Sequence, residues 1–285
     1  MSQYKKRKNH RLQNIKHELL KSKLSLICFV ILVVIILVSV FAFLSPYDPD
    51  QVNVGKAFSA PDREHLVGTD DLGRDYLTRA LYGGRISLLV GFLAMLISVS
   101  LGVLVGTISG YYGGWIDNIL MRCVDILQAI PWMILVTVVS IFLKPGIQAI
   151  ILVIGFFTWM RTARLVRAEA LSVKEREYVL YAKTSGQSSV KIMLKHIIPS
   201  ILPTIIVAGT TSIADAIMME STLSFLGLGV QQPMSSWGSM LQIAQGRDLY
   251  LALLPGLLIV ATIFCFNKMG DVLRVAMEPK MKGSQ

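Results

Sequence analysis

A chain of 285 residues carries 53% hydrophobic and 16% charged side chains, with a mean hydropathy of +0.59. Soluble domains hold roughly 25% charged residues, so this composition excludes an ordinary water-soluble globule and indicates an all-α, polytopic membrane protein. The formal net charge of +10 arises from 28 Lys and Arg against 18 Asp and Glu, and membrane topology accounts for it without a nucleic-acid partner.

Residues 1–23 read as a basic cytoplasmic arm containing Lys5, Lys6, Arg7 and Lys8. Contact with anionic lipid explains such an arm better than RNA does. The apolar run Leu24–Leu44 is long enough for a bilayer, which needs about 20 residues per helix. Its long basic leader and the lack of an A-x-A cleavage site indicate a retained anchor, not a signal peptide. Residues 45–85 form an extracytoplasmic loop. The core, 86–271, holds further spans at Ile86–Ser109, Ile119–Leu143, Ile147–Met160, Ile201–Met219 and Leu251–Phe266, making about six transmembrane helices. The fourth is short unless its helix continues through Thr162–Leu171. A cytoplasmic tail, 272–285, closes the chain. With both termini inside, most Lys and Arg fall on the cytoplasmic side, including those from Arg161 to Lys195, Arg274 and Lys280. Cys28, Cys123 and Cys265 lie far apart within spans and read as small packing residues, neither a disulfide framework nor a zinc site.

Several polar features interrupt the apolar runs. From His65 to Gly91, Gly68 and Gly73 allow tight turns while Asp70, Asp71 and Asp75 interleave with Arg74 and Arg79. Ion pairs that set the approach to the second span explain this pattern; His65 with the three Asp as ligands to a hard cation is the alternative. Arg122 and Asp125 are three apart on the third span and share a face, which suits a structural or gating ion pair. Pro131 predicts a kink in that span, static or hinged. Asp215 in the fifth span has no basic residue within a turn; Thr211, Asp215, Met218 and Met219 share roughly one face, fit to line a water-filled pathway or to meet another helix. Glu220 lies at the outer boundary, where solvation would suffice. The glycine-interrupted run Ser224–Gly229, followed by Gln231, Gln232, Pro233 and Trp237, reads as a re-entrant or interfacial segment with Trp237 at headgroup depth, either a lid or a docking surface. No GxxxxGK[ST] motif occurs, so the chain does not cradle a nucleotide by a P-loop.

The stretch Glu177–Pro203 is polar and basic, too long for a simple turn. One helical segment ends at Ser185-Gly186, a second runs to His196, and Pro199 and Pro203 bracket the return to the bilayer. This is a helix–Gly–helix platform shaped for another protein to grip. Its spacing resembles the EAA loop of ABC importer permeases: Ala182, Gly186 and Pro199 keep the pattern, while Leu180, Tyr181, His196 and Ile198 depart from it.

Four further stretches resemble the dipeptide/oligopeptide/nickel subfamily of those permeases, in the subfamily's order. They are GTDDLGRD (Gly68–Asp75); GYYGGWID with MRCVDILQAIP (Gly110–Asp117, Met121–Pro131); ARLVRAEALSVKEREYV (Ala163–Val179); and ESTLSFLGLGVQQP with SWG (Glu220–Pro233, Ser236–Gly238). The resemblance covers roughly residues 24–280. It implies an ABC importer type I permease fold in the cell membrane, half of a pathway for peptides, with nickel or a metal chelate as the alternative cargo. It also implies a coupling loop at 172–199, in which Glu177, Tyr178, Tyr181, Ala182, Gly186 and Pro199 meet a separate ATPase. The implied partners are a second related permease, two ATPases that bind ATP and Mg²⁺, and an extracytoplasmic binding protein; no cofactor is implied for this chain. An ion-coupled secondary transporter would need inverted repeats and ion ligands at broken helices, and no convincing repeat is visible. An intramembrane enzyme would need paired Asp, Ser with His, or HExxH in the spans, and none occurs.

Overall fold

A computed structural model describes residues 13–142 and 146–277. Most of the basic arm and the tail beyond Met277 lie outside those residues, as do Lys5 to Lys8 and Lys280. The described chain is almost entirely helical. A short helix α1 (13–21) precedes α2 (Lys23–Val40), α3 (Tyr76–Tyr112), α4 (Gly114–Ala129) and α5 (Trp132–Phe142). Then come α6 (Ile147–Lys174), α7 (Glu177–Thr184), α8 (Ser189–Ile192), α9 (Ile198–Phe225), α10 (Trp237–Ile243) and α11 (Leu249–Met277). Five described helices are long and apolar enough to cross a membrane, or six if α4 with α5 counts as one broken span.

The long helix α3 is the centre of the bundle. At 37 residues it is about 55 Å long, well beyond the ~30 Å hydrocarbon core, and most of the excess lies before the apolar run, at its N-terminal end. It starts at Tyr76, before the apolar run at Ile86, because Asp75 caps it: the carboxylate accepts the Thr78 amide at 2.8 Å. Its C-terminal half carries Gly102, Gly106 and Gly110, one per turn, against α6. A Cβ added at Gly102 would lie 2.6 Å from Thr162 Cβ, and one at Gly106 2.5 Å from the Ala163 carbonyl. Only small residues allow two backbones so close, and in lipid that close packing replaces the hydrophobic drive that joins helices in water. This small-residue repeat is readable in the sequence, although only Gly110 falls within the motifs named there.

The third predicted span is broken, not kinked. α4 and α5 meet at 83° around Ile130 and Pro131. α5, eleven residues long, spans only about 16 Å. α4 is amphipathic; it leaves Trp115, Ile119 and Ile126 exposed and buries Val124. The fourth helix continues beyond its apolar run to Lys174, as its charged continuation allows. Cys28 on α2 and Cys265 on α11 pack together in the interior, whereas Cys123 on α4 is exposed and does no packing.

The end of the bundle where α3 starts is closed by residues 45–75 and 226–248. Asp70 is buried and accepts from Arg74 Nε at 2.6 Å, while Arg79 Nε lies 3.2 Å from the same oxygen. Arg74 also donates to Gln232 at 2.7 Å, and Arg79 to the carbonyls of Pro49 and Pro233. His65 pairs with Asp75 at 2.9 Å. These carboxylates serve ion pairs and a helix cap, the structural reading of the motif; Asp70 is committed to two guanidinium groups and is not free to hold a cation. On the exposed rim, a hydrogen bond from Lys56 holds the Glu64 carboxyl below its usual range, and the His65 amide does the same for Asp62.

Trp237 is buried inside the bundle. Its indole N–H donates to the Ala80 carbonyl at 3.0 Å, and the ring lies over Gly84. Glu220 is also buried, with 0% exposure, so the solvated reading fails. Serines pay for that burial: Ser87 and Ser224 donate to its two oxygens at 2.9 and 2.6 Å. Ser224 Oγ in turn accepts the Val230 amide at 3.1 Å and closes the turn that follows α9.

Candidate functional site: the platform and the basic cavity

At the other end of the bundle, α7 and α8 form the platform. Glu177 opens α7, where a negative charge suits the helix N-terminus. Gly186 ends it with φ +75°; its amide donates to the Lys183 carbonyl, and the Gln187 amide to that of Ala182, both at 3.1 Å. This pair of bonds is the Schellman ending, which places its left-handed residue at the glycine. No atom lies within 4 Å of a Cβ built at Gly186, so backbone conformation, not crowding, selects glycine.

The second platform segment does not stop before the fifth span. α8 runs through a π-helical turn, Met193–Ile197, directly into α9. Pro199 follows the π-helical turn directly and Pro203 lies one turn further on, so both prolines sit within one continuous helix, with the widened turn just before the first of them. The continuous helical link therefore joins the platform to α9, while α6 is separated from α7 at Glu175 and Arg176.

An apolar core fixes the platform to the bundle. Val166, Ala170 and Val173 of α6 pack with Val179 and Ala182 of α7, Ile192 of α8, and Ile197, Ile201 and Ile205. Ala182 thus faces inward. Tyr178 Oη and Ser200 Oγ share a hydrogen bond of 2.8 Å between α7 and α9. The outer surface keeps large apolar side chains exposed, among them Leu180, Val190, Leu194 and Tyr181, the last at 74%.

Behind the platform lies a cavity of about 1470 Å³ between α6, α9 and the end of α11. Its wall carries Arg161, Arg164, Arg176, Lys195 and Arg274 against Glu169 and Asp215. Tyr178, His196 and Pro199 form its platform side. Thr211 and Asp215 line it, but Met218 and Met219 do not: Asp215 is the last α9 residue on the wall. Beyond it Met219 turns onto the α3–α6 core, and Met218 is exposed.

Asp215 has a cationic neighbour that local spacing could not show, Arg161 of α6 at 3.4 Å. Arg122 and Asp125 do not pair. Asp125 accepts from Arg164 at 2.6 Å, and Arg122 forms no ion pair among the described residues. Because α4 is exposed on that face, Arg122 needs no partner, and α6 supplies the better-placed guanidinium. The tight pair of α4 is Asp117 with Arg167, a two-point contact at 2.5 and 2.6 Å that ties α4 to α6.

Residues 102–283 match the family described as binding-protein-dependent transport system inner membrane component, and residues 11–61 match the N-terminal TM domain of oligopeptide transport permease C. The oligopeptide transport system permease protein OppC of Bacillus subtilis is 38% identical over 92% of this chain and 87% of its own length. The dipeptide transport system permease protein DppC of the same organism is 37% identical, over 95% and 86%. Among solved structures, the inward-facing MetNI methionine ABC transporter matches with a TM-score of 0.61 at 19% identity, over 70% of this chain and 97% of that one, a likeness of fold. Five or six spans, a platform carried by two of them and a match over most of the sequence agree, and the chain belongs to the family of inner membrane components of binding-protein-dependent transport systems.

Proposed function

We propose that this chain forms half of the transmembrane pathway of an ATP-driven peptide importer and couples to a separate ATPase through residues 177–199. One observation carries the reading: the platform offers Leu180, Tyr181, Val190 and Leu194 outward, while its inner side packs on α6 and α9, which wall the cavity. A partner gripping those side chains moves the cavity wall, because α8 and α9 are joined end to end. ATP and Mg²⁺ bind in two partner ATPases, and this chain performs no catalysis. A second related permease completes the pathway, and an extracytoplasmic binding protein delivers cargo to the end closed by residues 45–75. The platform and both termini face the cytoplasm, as the distribution of Lys and Arg supports.

Peptide is the cargo because the OppC and DppC relatives are named as oligopeptide and dipeptide systems. The cavity wall disfavours nickel as a bare ion, since its basic side chains outnumber its acidic ones and repel a divalent cation. The test is uptake in proteoliposomes holding the full set of partners. ATP-dependent import of labelled di- and oligopeptides is expected. Import driven by an ion gradient without the ATPases, or of nickel but no peptide, would overturn the proposal.

A further inference from the structure

On the reading of this chain as half of a peptide importer, we infer that Arg161 and Asp215 receive the two termini of the passing substrate. Arg161 takes the α-carboxylate and Asp215 the α-ammonium.

The pair is built differently from its neighbours. Arg167 grips Asp117 through two nitrogens, and Arg164 meets Asp125 at 2.6 Å. Arg161 reaches Asp215 through Nη1 alone at 3.4 Å, with side chains 83% and 47% exposed. A long, one-point contact between exposed side chains holds its partners weakly. It leaves the other guanidinium nitrogens of Arg161, and Oδ1 of Asp215, without a partner among the described residues. Both side chains line the cavity.

A zwitterion exchanges with such a pair without leaving a charge uncompensated. Its carboxylate replaces Asp215 at Arg161, and its ammonium replaces Arg161 at Asp215, so each charge keeps an opposite partner throughout. The rest of the wall orients the exchange. Arg176, Lys195 and Arg274 lie toward the platform and draw the carboxylate in. Thr158 and Thr211 spend their hydroxyl hydrogens on backbone carbonyls, which leaves oxygen lone pairs to accept from substrate amides. A purely anionic lipid phosphate would suit the basic side chains but brings no cation for Asp215 when Arg161 turns to it.

The test crosses protein variants with substrate variants. Uptake by the fully reconstituted transporter is measured for a free tripeptide, its C-amidated form and its N-acetylated form, each normalised to occupancy of the binding protein. The binding protein is the same in every arm, so its own preferences cancel. Arg161→Gln is expected to reduce uptake of the free peptide about tenfold more than that of the amidated one, the scale of one lost charge-assisted contact. Asp215→Asn should show the corresponding bias against the free peptide relative to the acetylated one. Arg161→Lys should retain most of the wild-type preference, since it keeps the charge. Arg161→Met keeps the side-chain stem and replaces the Gln variant if that one does not assemble. Equal losses across the three peptides would assign the pair a structural role and overturn the inference; no loss in any variant would do the same. A wild-type transporter that imports no peptide at all would instead refute the cargo reading on which the inference rests.

Discussion

The hydroxyl of Ser87 on α3 donates to the carboxyl of Glu220 on α9 at 2.9 Å, in a part of the bundle closed to solvent. That bond joins the central helix to the C-terminal end of α9, and Ser224, one turn along α9, satisfies the other carboxyl oxygen. A buried carboxyl and its hydroxyl partners are satisfied together or lost together. Glu220→Ala leaves the hydroxyls without an acceptor and is expected to destabilise the protein by about 1–3 kcal/mol. Glu220→Gln keeps one acceptor oxygen and should lose less. Melting of the detergent-purified complex measures both, and an unchanged Tm for the Ala variant would show that the cluster adds no stability.

Asp70 is the buried carboxylate between two buried guanidinium groups, and its removal leaves Arg74 only the partly exposed Asp71 and Arg79 only the exposed Asp50 as charged partners. Asp70→Ala is expected to cost about 3–5 kcal/mol, the usual penalty for leaving a buried ion without its partner. The amount of chain recovered in the membrane fraction should fall sharply. Asp71→Ala, at a more exposed side chain 3.2 Å from Arg74, should change little. Equal recovery of the two variants would contradict the assignment.

Gly186 is selected by its left-handed backbone and not by crowding, and this sets an order among substitutions. Asn tolerates that conformation and should retain coupling; Val should lose it, at a backbone cost of about 1–2 kcal/mol. Membrane insertion should survive in both, with ATPase recovery and uptake falling only in the Val variant. Co-purification and transport at wild-type level in Gly186→Val would reduce the platform to an ordinary connector.

The two ends of the bundle are expected to face opposite sides of the membrane. In a Cys123→Ser background, which removes the exposed native thiol, Arg63→Cys should react with an impermeant thiol reagent in intact cells and Lys191→Cys should not. Labelling at Lys191→Cys from outside would reverse the orientation and remove the platform from reach of a cytoplasmic ATPase.

Much of this architecture was legible along the chain because it depends on local composition. Apolar run length marks the spans, glycine and proline mark the platform, and alternating Asp and Arg mark the closed end. The errors occur where partners come from distant segments. Arg122 and Asp125 satisfy the spacing rule for one helix face, yet Arg164 from α6 takes the carboxylate. Trp237 and Glu220 resemble boundary residues by position, and the fold buries both under α3.

Helix positions, the turn at Gly186 and the excess of basic residues near the platform follow from periodicity, backbone chemistry and charge, which need no knowledge of neighbours. The break at Pro131, the Arg161–Asp215 contact and the serine cluster around Glu220 depend on how α6 and α9 lie against α3 and α4. A proline states that a helix is interrupted but not by what angle, and an acidic residue in a span states that a partner is needed but not which helix brings it. Those answers come from interhelical packing, where the close approach allowed by Gly102, Gly106 and Gly110 sets which side chains meet.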